Sequence, residues 1–85
     1  MFDVNYSNQA AKFLKSSEKV VAARLIKKIE ELQKEPIIHD SKLIVGSKEK
    51  LFRVRVGDYR ILYEVDYTNK MVGIVRINKR ARAYD

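Results

Sequence analysis

The sequence predicts an α+β fold in which two N-terminal helices pack on one face of a small, mainly antiparallel β-sheet, in the order β-α-α-β-β-β. Three observations predict it. Residues 7–35 carry apolar positions at helical spacing and stop at Pro36. Residues 51–65, LFRVRVGDYRILYEV, form two alternating runs on either side of Gly57-Asp58, the pattern of a β-hairpin. Residues 71–78 are apolar on both sides through their first half, as an interior strand is. One apolar stripe on the helices and one apolar face on the sheet are satisfied together when one is buried against the other.

Taken in order, residues 2–6 alternate, with Phe2, Val4 and Tyr6 on one side, and read as a first strand. Ser7 offers an N-cap, and Ala10, Phe13 and Leu14 follow at helical spacing. Ser16-Ser17 interrupts the pattern, and Ser17 before Glu18 reads as the cap of a second helix with a carboxylate near its positive end. Val21, Leu25, Ile29 and Leu32 then make one apolar stripe, with Arg24, Lys27, Lys28, Glu31 and Lys34 on the other sides. Residues 36–50 have no clear period, and 43–45 is the one stretch there able to form a short strand. Residues 66–70 read as a turn around Thr68-Asn69, and the chain closes in a short polar tail containing Lys79, Arg80, Arg82, Tyr84 and Asp85. Nothing divides the chain, so residues 1–85 read as a single domain.

The hairpin organises the rest. With Gly57 and Asp58 as a type II′ loop, Val56 faces Tyr59, Arg55 faces Arg60, and Arg53 faces Leu62. Phe52, Val54, Val56, Tyr59, Ile61, Tyr63 and Val65 then share a core face. Arg53, Arg55, Arg60 and Glu64 take the opposite face, together with Leu51 and Leu62. Arg55 opposite Arg60 sets like charges a few ångströms apart, which costs stability. Two readings stand: a solvated outer face, or a polyanion site built from the residue whose fork matches phosphate oxygens.

Charge favours the second. The net charge is +7, and residues 42–85 hold eleven Lys/Arg against five Asp/Glu while residues 1–41 hold seven against six. The excess lies with the hairpin and points to nucleic acid or an acidic protein partner. A membrane surface fits less well, because the cations sit on strands and not on a basic amphipathic helix. No run approaches the roughly 18 apolar residues of a membrane span. The start MFDVNYSNQ lacks the basic and apolar regions of a signal peptide, so a cytoplasmic location is expected. The 85 residues contain no cysteine, which excludes disulfides, thiolate metal sites and cysteine nucleophiles.

No phosphate loop, HExxH or GxSxG motif is present. The one histidine, His39, excludes a paired-histidine nuclease within one chain and reads as an exposed loop residue. The acids of the basic half, Glu49, Asp58, Glu64, Asp66 and Asp85, are scattered, so no metal cluster and no cofactor are expected. What remains for phosphodiester cleavage is a metal-free route, in which the RNA 2′-hydroxyl attacks the adjacent phosphate and cations stabilise the transition state. Arg53, Arg55, Arg60 and Arg80 suit that role as catalytic residues. Tyr84, four residues after Arg80, reads either as a stacking or proton-transfer group of the same site or as an apolar anchor for the tail. Lys48, Lys50, Lys79 and Arg82 read as RNA-binding charges, with a solvated loop as the alternative for the lysines between the helices and the hairpin.

The hairpin LFRVRVGDYRILYEV followed by VRINKRARAY resembles the RelE/ParE superfamily of bacterial and archaeal toxins, and its RelE branch most. The likeness covers essentially the whole chain, and the GDYR turn is its specific part. It implies a toxin of a type II toxin–antitoxin module, an endoribonuclease cutting messenger RNA in the ribosomal A site. It also implies inhibition by a cognate RelB-like antitoxin in a hetero-oligomer. By position, the resemblance assigns phosphate binding to Arg53, Arg55, Arg60 and Arg80 and base stacking to Tyr84. The best-studied pattern has lysines in the first basic strand. Arginine keeps its proton, so Arg55 is a poor general base, and Tyr84, Lys50, Lys79 or ribosomal RNA are left as sources. Two alternatives carry different tests: a ParE-like gyrase poison that cuts no RNA, and a degenerate member that only binds its antitoxin or RNA. An acidic antitoxin is expected on electrostatic grounds as well.

Overall fold

The computed structural model describes residues 1–44 and 50–79. Their elements are β1 (Asp3–Tyr6), α1 (Asn8–Ser16), α2 (Lys19–Lys34), β2 (Lys42–Leu43), β3 (Phe52–Val56), β4 (Tyr59–Asp66) and β5 (Met71–Lys79). The order is the expected one with one strand added. β2 is only two residues long and pairs antiparallel with Arg53 and Phe52, too short to leave a period in the sequence. It starts one residue before the expected 43–45, of which Val45 lies outside the described residues.

The sheet runs β1-β5-β4-β3-β2. Its strands are antiparallel except for β1, which lies parallel to β5. That parallel pair follows from the helices, since a strand that returns to its neighbour in the same direction needs a crossover of a dozen or more residues. β5 outruns β1, and the start of α1 covers the surplus. Ser7 Oγ donates to Val75 O at 2.7 Å, Gln9 Nε2 donates to Ile77 O at 2.6 Å, and Ile77 N donates to Gln9 Oε1 at 2.9 Å. These side chains satisfy backbone groups that would otherwise form an open edge.

Ser7 caps α1 as expected, accepting from Ala10 N at 3.1 Å. Ser17 does not cap α2. Its hydroxyl turns back to Phe13 O at 2.6 Å, so Ser17 closes α1 and Glu18 starts α2 without a side-chain capping bond. The α2 stripe behaves as its spacing dictates: Leu25, Ile29 and Leu32 are fully buried, with Val21 packed at the margin. Opposite them lie Val54, Ile61, Tyr63, Val72, Ile74 and Ile77. Each such side chain contributes roughly 1.5–3 kcal/mol when removed from water. Both helices contribute to this one core, so the hairpin's core face is the covered one and its arginine face the open one.

The hairpin turn forms where expected. Among the described residues Gly57 has φ +58° while Asp58 does not have a positive φ, the signature of a II′ turn. A Cβ added at Gly57 would lie 2.6 Å from the Arg24 guanidinium, the far end of a flexible side chain that can move aside, so it is the positive φ that calls for glycine here. The second turn closes with Lys70 at φ +51° and is tied by Asp66, which accepts from Asn69 N at 3.1 Å and Asn69 Nδ2 at 2.8 Å. These bonds hold the Asp66 carboxyl below its usual range.

Candidate functional site

The site is built by strand register. Pairing of β3 with β4 sets Arg55 opposite Arg60 and Arg53 opposite Leu62, as the turn predicts. Pairing of β4 with β5 adds Asn78 beside Arg60 and Arg76 beside Leu62. Pairing of β2 with β3 adds Lys42 beside Arg53. Two rows therefore cross the open face: Lys42, Arg53, Leu62, Arg76, and next to it Arg55, Arg60, Asn78. Arg60 Nε donates to Asn78 Oδ1 at 3.4 Å, a long contact.

Arg76 reaches this face only because β5 is irregular. The register shifts between Leu62 and Tyr63, so that Leu62 faces Arg76 while Tyr63 faces Ile74, and Val75 is the extra residue of a bulge. Before the bulge, Val72 and Ile74 point inward; after it, Ile77 does. Without the bulge the period of two would have turned Arg76 and Asn78 into the core. Sequence reasoning gave Arg76 no role. An apolar run with no alternation carries no signal of where its phase changes.

Asp40, Lys42, Arg53 and Arg55 line a depression of about 240 Å³ on the β2–β3 side of the face. The loop before β2 is fastened from beneath. Tyr63, with no exposed surface, donates through its hydroxyl to Pro36 O at 2.7 Å and lies 2.6 Å from Ser41 Oγ. Ser41 Oγ accepts from Ile38 N at 3.1 Å. Burial pushes the Tyr63 phenol above its usual value, partly offset by the Ser41 bond. Asp40 lies 3.7 Å from Lys28 Nζ and 3.2 Å from His39 Nε2, with His39 itself exposed as expected.

The other expected residues are dispersed. Lys50 lines a separate depression of about 680 Å³ with Asn5, Glu64, Asp66 and Tyr67, at the acidic end of the face. Lys79 lines a third, of about 530 Å³, with Phe13, Val21 and Tyr59 beneath the helix junction. Tyr59 and Tyr63 belong to the core side. Lys48, Arg80, Arg82 and Tyr84 lie outside the described residues. Among the described residues no three His, Cys, Asp or Glu are placed to hold a metal ion, and no helix is long and apolar enough to cross a membrane.

A sequence profile of the ParE toxin of the type II toxin–antitoxin system parDE matches residues 4–84. The chain belongs to this toxin family. Within the wider RelE/ParE superfamily the toxin is RelE-like. It superposes on archaeal RelE from the RelE–RelB complex of Pyrococcus horikoshii with a TM-score of 0.83 at 30% identity, covering 96% of the toxin and 98% of that chain. The toxin of the RelBE2 complex from Mycobacterium tuberculosis gives 0.79 at 25% identity, covering 93% and 98%. The isolated Escherichia coli RelE toxin gives 0.83 at 21% identity over 98% and 88%, a likeness of fold. Comparison with curated protein sequences gives no match.

Proposed function

We propose that residues 1–85 form a single toxin domain acting as a ribosome-dependent messenger RNA endoribonuclease. The 2′-hydroxyl attacks the neighbouring phosphate without a metal ion, translation stops, and a cognate acidic RelB-like antitoxin neutralises the activity in the cytoplasm. The observation that carries this reading is the facing pair Arg55 and Arg60 with Arg53 on the same side, a cluster of like charges on the face the helices leave open. Such a cluster costs folding energy and is repaid when a polyanion binds. The reaction develops negative charge on the phosphate oxygens, and fixed guanidinium groups meet that charge without reorganising. Arg80 and Tyr84 complete the site in this reading, Arg80 at the leaving 5′-oxygen and Tyr84 against a base. Lys48, Lys50, Lys79 and Arg82 attract the RNA backbone. The antitoxin is proposed because archaeal RelE and the Mycobacterium tuberculosis toxin both occur in complexes with one.

The test is primer extension on message from a translation reaction after adding this chain. Cuts confined to translated frame, lost in Arg60→Ala and in Arg80→Ala while antitoxin binding persists, are the expected outcome. Losses of roughly a hundredfold or more are expected for removal of one preorganised charge donor. A second reading, poisoning of DNA gyrase, is favoured by the match to the ParE profile. Intact message with gyrase trapped on cleaved DNA would establish it.

A further inference from the structure

We propose that Asp40 is the general base of this site, the group that takes the proton from the attacking 2′-hydroxyl; this rests on the endoribonuclease reading above. The arginines bind a phosphate but accept no proton, and a lysine holding its own proton accepts none either. Asp40 brings an acceptor into the same depression as Arg53, Arg55 and Lys42. Its place there follows from the turn that leads into β2. Lys42 faces Arg53 in the β2–β3 ladder, the turn closed by Ser41 N on Ile38 O sets Asp40 just before it, and Asp40 lines the depression beside Arg55, whose partner across the hairpin is Arg60. A 2′-oxygen lies next to the phosphate it attacks, so a carboxylate at the edge of a phosphate clamp is within reach of the proton that must leave.

The loop holds Asp40 as a catalytic acceptor has to be held. Pro36, Ile38 and Ser41 are tied to each other and to the buried Tyr63 hydroxyl, which fixes the backbone on both sides of Asp40. The charged and titratable groups around the carboxylate are Lys28 of α2, His39 of its own loop, Lys42 of β2, and Arg53 and Arg55 of β3. A carboxylate among cations that serve only to bind phosphate repels the ligand and weakens the site. As a base it belongs there. The balance is complete within the reaction. The 2′-hydroxyl proton passes to Asp40, the O2′–P bond forms and the P–O5′ bond breaks. The leaving 5′-oxygen takes a proton from water, and Asp40 returns its proton to solvent, leaving a 2′,3′-cyclic phosphate and a 5′-hydroxyl.

The competing account makes Asp40 an anchor that ties the loop to Lys28. The two accounts predict opposite signs for Asp40→Asn, which keeps the shape and removes the base. Single-turnover cutting is measured on ribosomes programmed with a defined message, using the full chain and its variants, with thermal midpoints recorded alongside. Asp40→Asn is expected to lower kcat roughly a hundredfold or more, the usual contribution of a positioned base, with KM unchanged or lower because a negative charge has left the phosphate cleft. Asp40→Glu is expected to restore part of kcat, and Lys28→Gln, which breaks the same contact but keeps the carboxylate, to cut within about threefold of the parent chain. Cutting by Asp40→Asn at the parent rate or faster would overturn the proposal and leave the nuclease reading standing. So would a Lys28→Gln loss as deep as that of Asp40→Asn. A parent chain that leaves the message intact would overturn both.

Discussion

The hydroxyl of Tyr63 is a single polar atom in an apolar core, and it joins β4 to the loop beside the arginine cleft through Pro36 O and Ser41 Oγ. Tyr63→Phe keeps the ring, including its stacking on Phe52, but takes the donor from the buried Pro36 O and the partner from the half-buried Ser41 Oγ, which keeps its bond from Ile38 N. The expected cost is about 1–3 kcal/mol, read as a fall in thermal midpoint of roughly 4–8 °C per kcal/mol for a domain of this size. The phenol's folded value lies above the ordinary tyrosine value of about 10, because burial penalises the charged form. Its contribution is therefore fully present below about pH 10 and is lost as pH rises through the folded value. Tyr6, raised by burial and by Glu30, acts in the same direction. Unfolding of Tyr63→Phe followed from about pH 9 to 11 is expected to show a shallower alkaline loss than the parent chain. The sequence placed Tyr63 in the core from its alternation with Ile61. It was silent on the hydroxyl's partners, which come from a connection without any period, and for the same reason it was silent on Asp40. Arg53, Arg55 and Arg60 were legible because a two-residue turn fixes register outright.

Among the elements, β5 separates what a pattern can say from what packing decides. An interior strand over 71–78 was legible from unbroken apolarity, and that same apolarity hid the phase change at Val75. The parallel pairing of β1 was equally hidden, since alternation within one strand says nothing about its neighbour's direction. At the helix junction the sequence offered two serines and one carboxylate, and the capping bond it assigned to Ser17 is spent on Phe13 O. Deleting Val75 tests the bulge. Removing the extra residue restores a strict period of two, which drives Arg76 and Asn78 toward the core or Ile77 out of it. Loss of cooperative unfolding, or a loss of several kcal/mol as for a charge buried without a partner, is the expected result. Val75→Ala, which keeps the count, is expected to cost about 1 kcal/mol or less, because Val75 is 36% exposed.

Across the whole molecule the charge is divided as well as positive. Lys42, Arg53, Arg55, Arg60 and Arg76 occupy one end of the open face, while Glu64, Asp66 and Asp3 fall in register at the other, around Gly73 and Met71. The excess of cations in residues 42–85 was legible from composition alone. Its division into two ends was not, because the parallel return of β1 brings Asp3 to Met71. An acidic antitoxin segment is expected to be steered to the arginine end. Stopped-flow association with the antitoxin should slow by about tenfold or more between low and high salt, with dissociation changing far less. The position of β5 has one more consequence. It lies between β1 and β4, so the first strand of the chain and the longer arm of the hairpin both wait for residues made after all the rest of the described sheet. At synthesis rates of about 5–20 residues per second, β1 waits several seconds for this neighbour, while β4, already paired with β3, waits a few seconds at most. Arg53, Arg55 and Arg60 are thus set in place by the hairpin alone, and Arg76 and Asn78 join them only once β5 has been made.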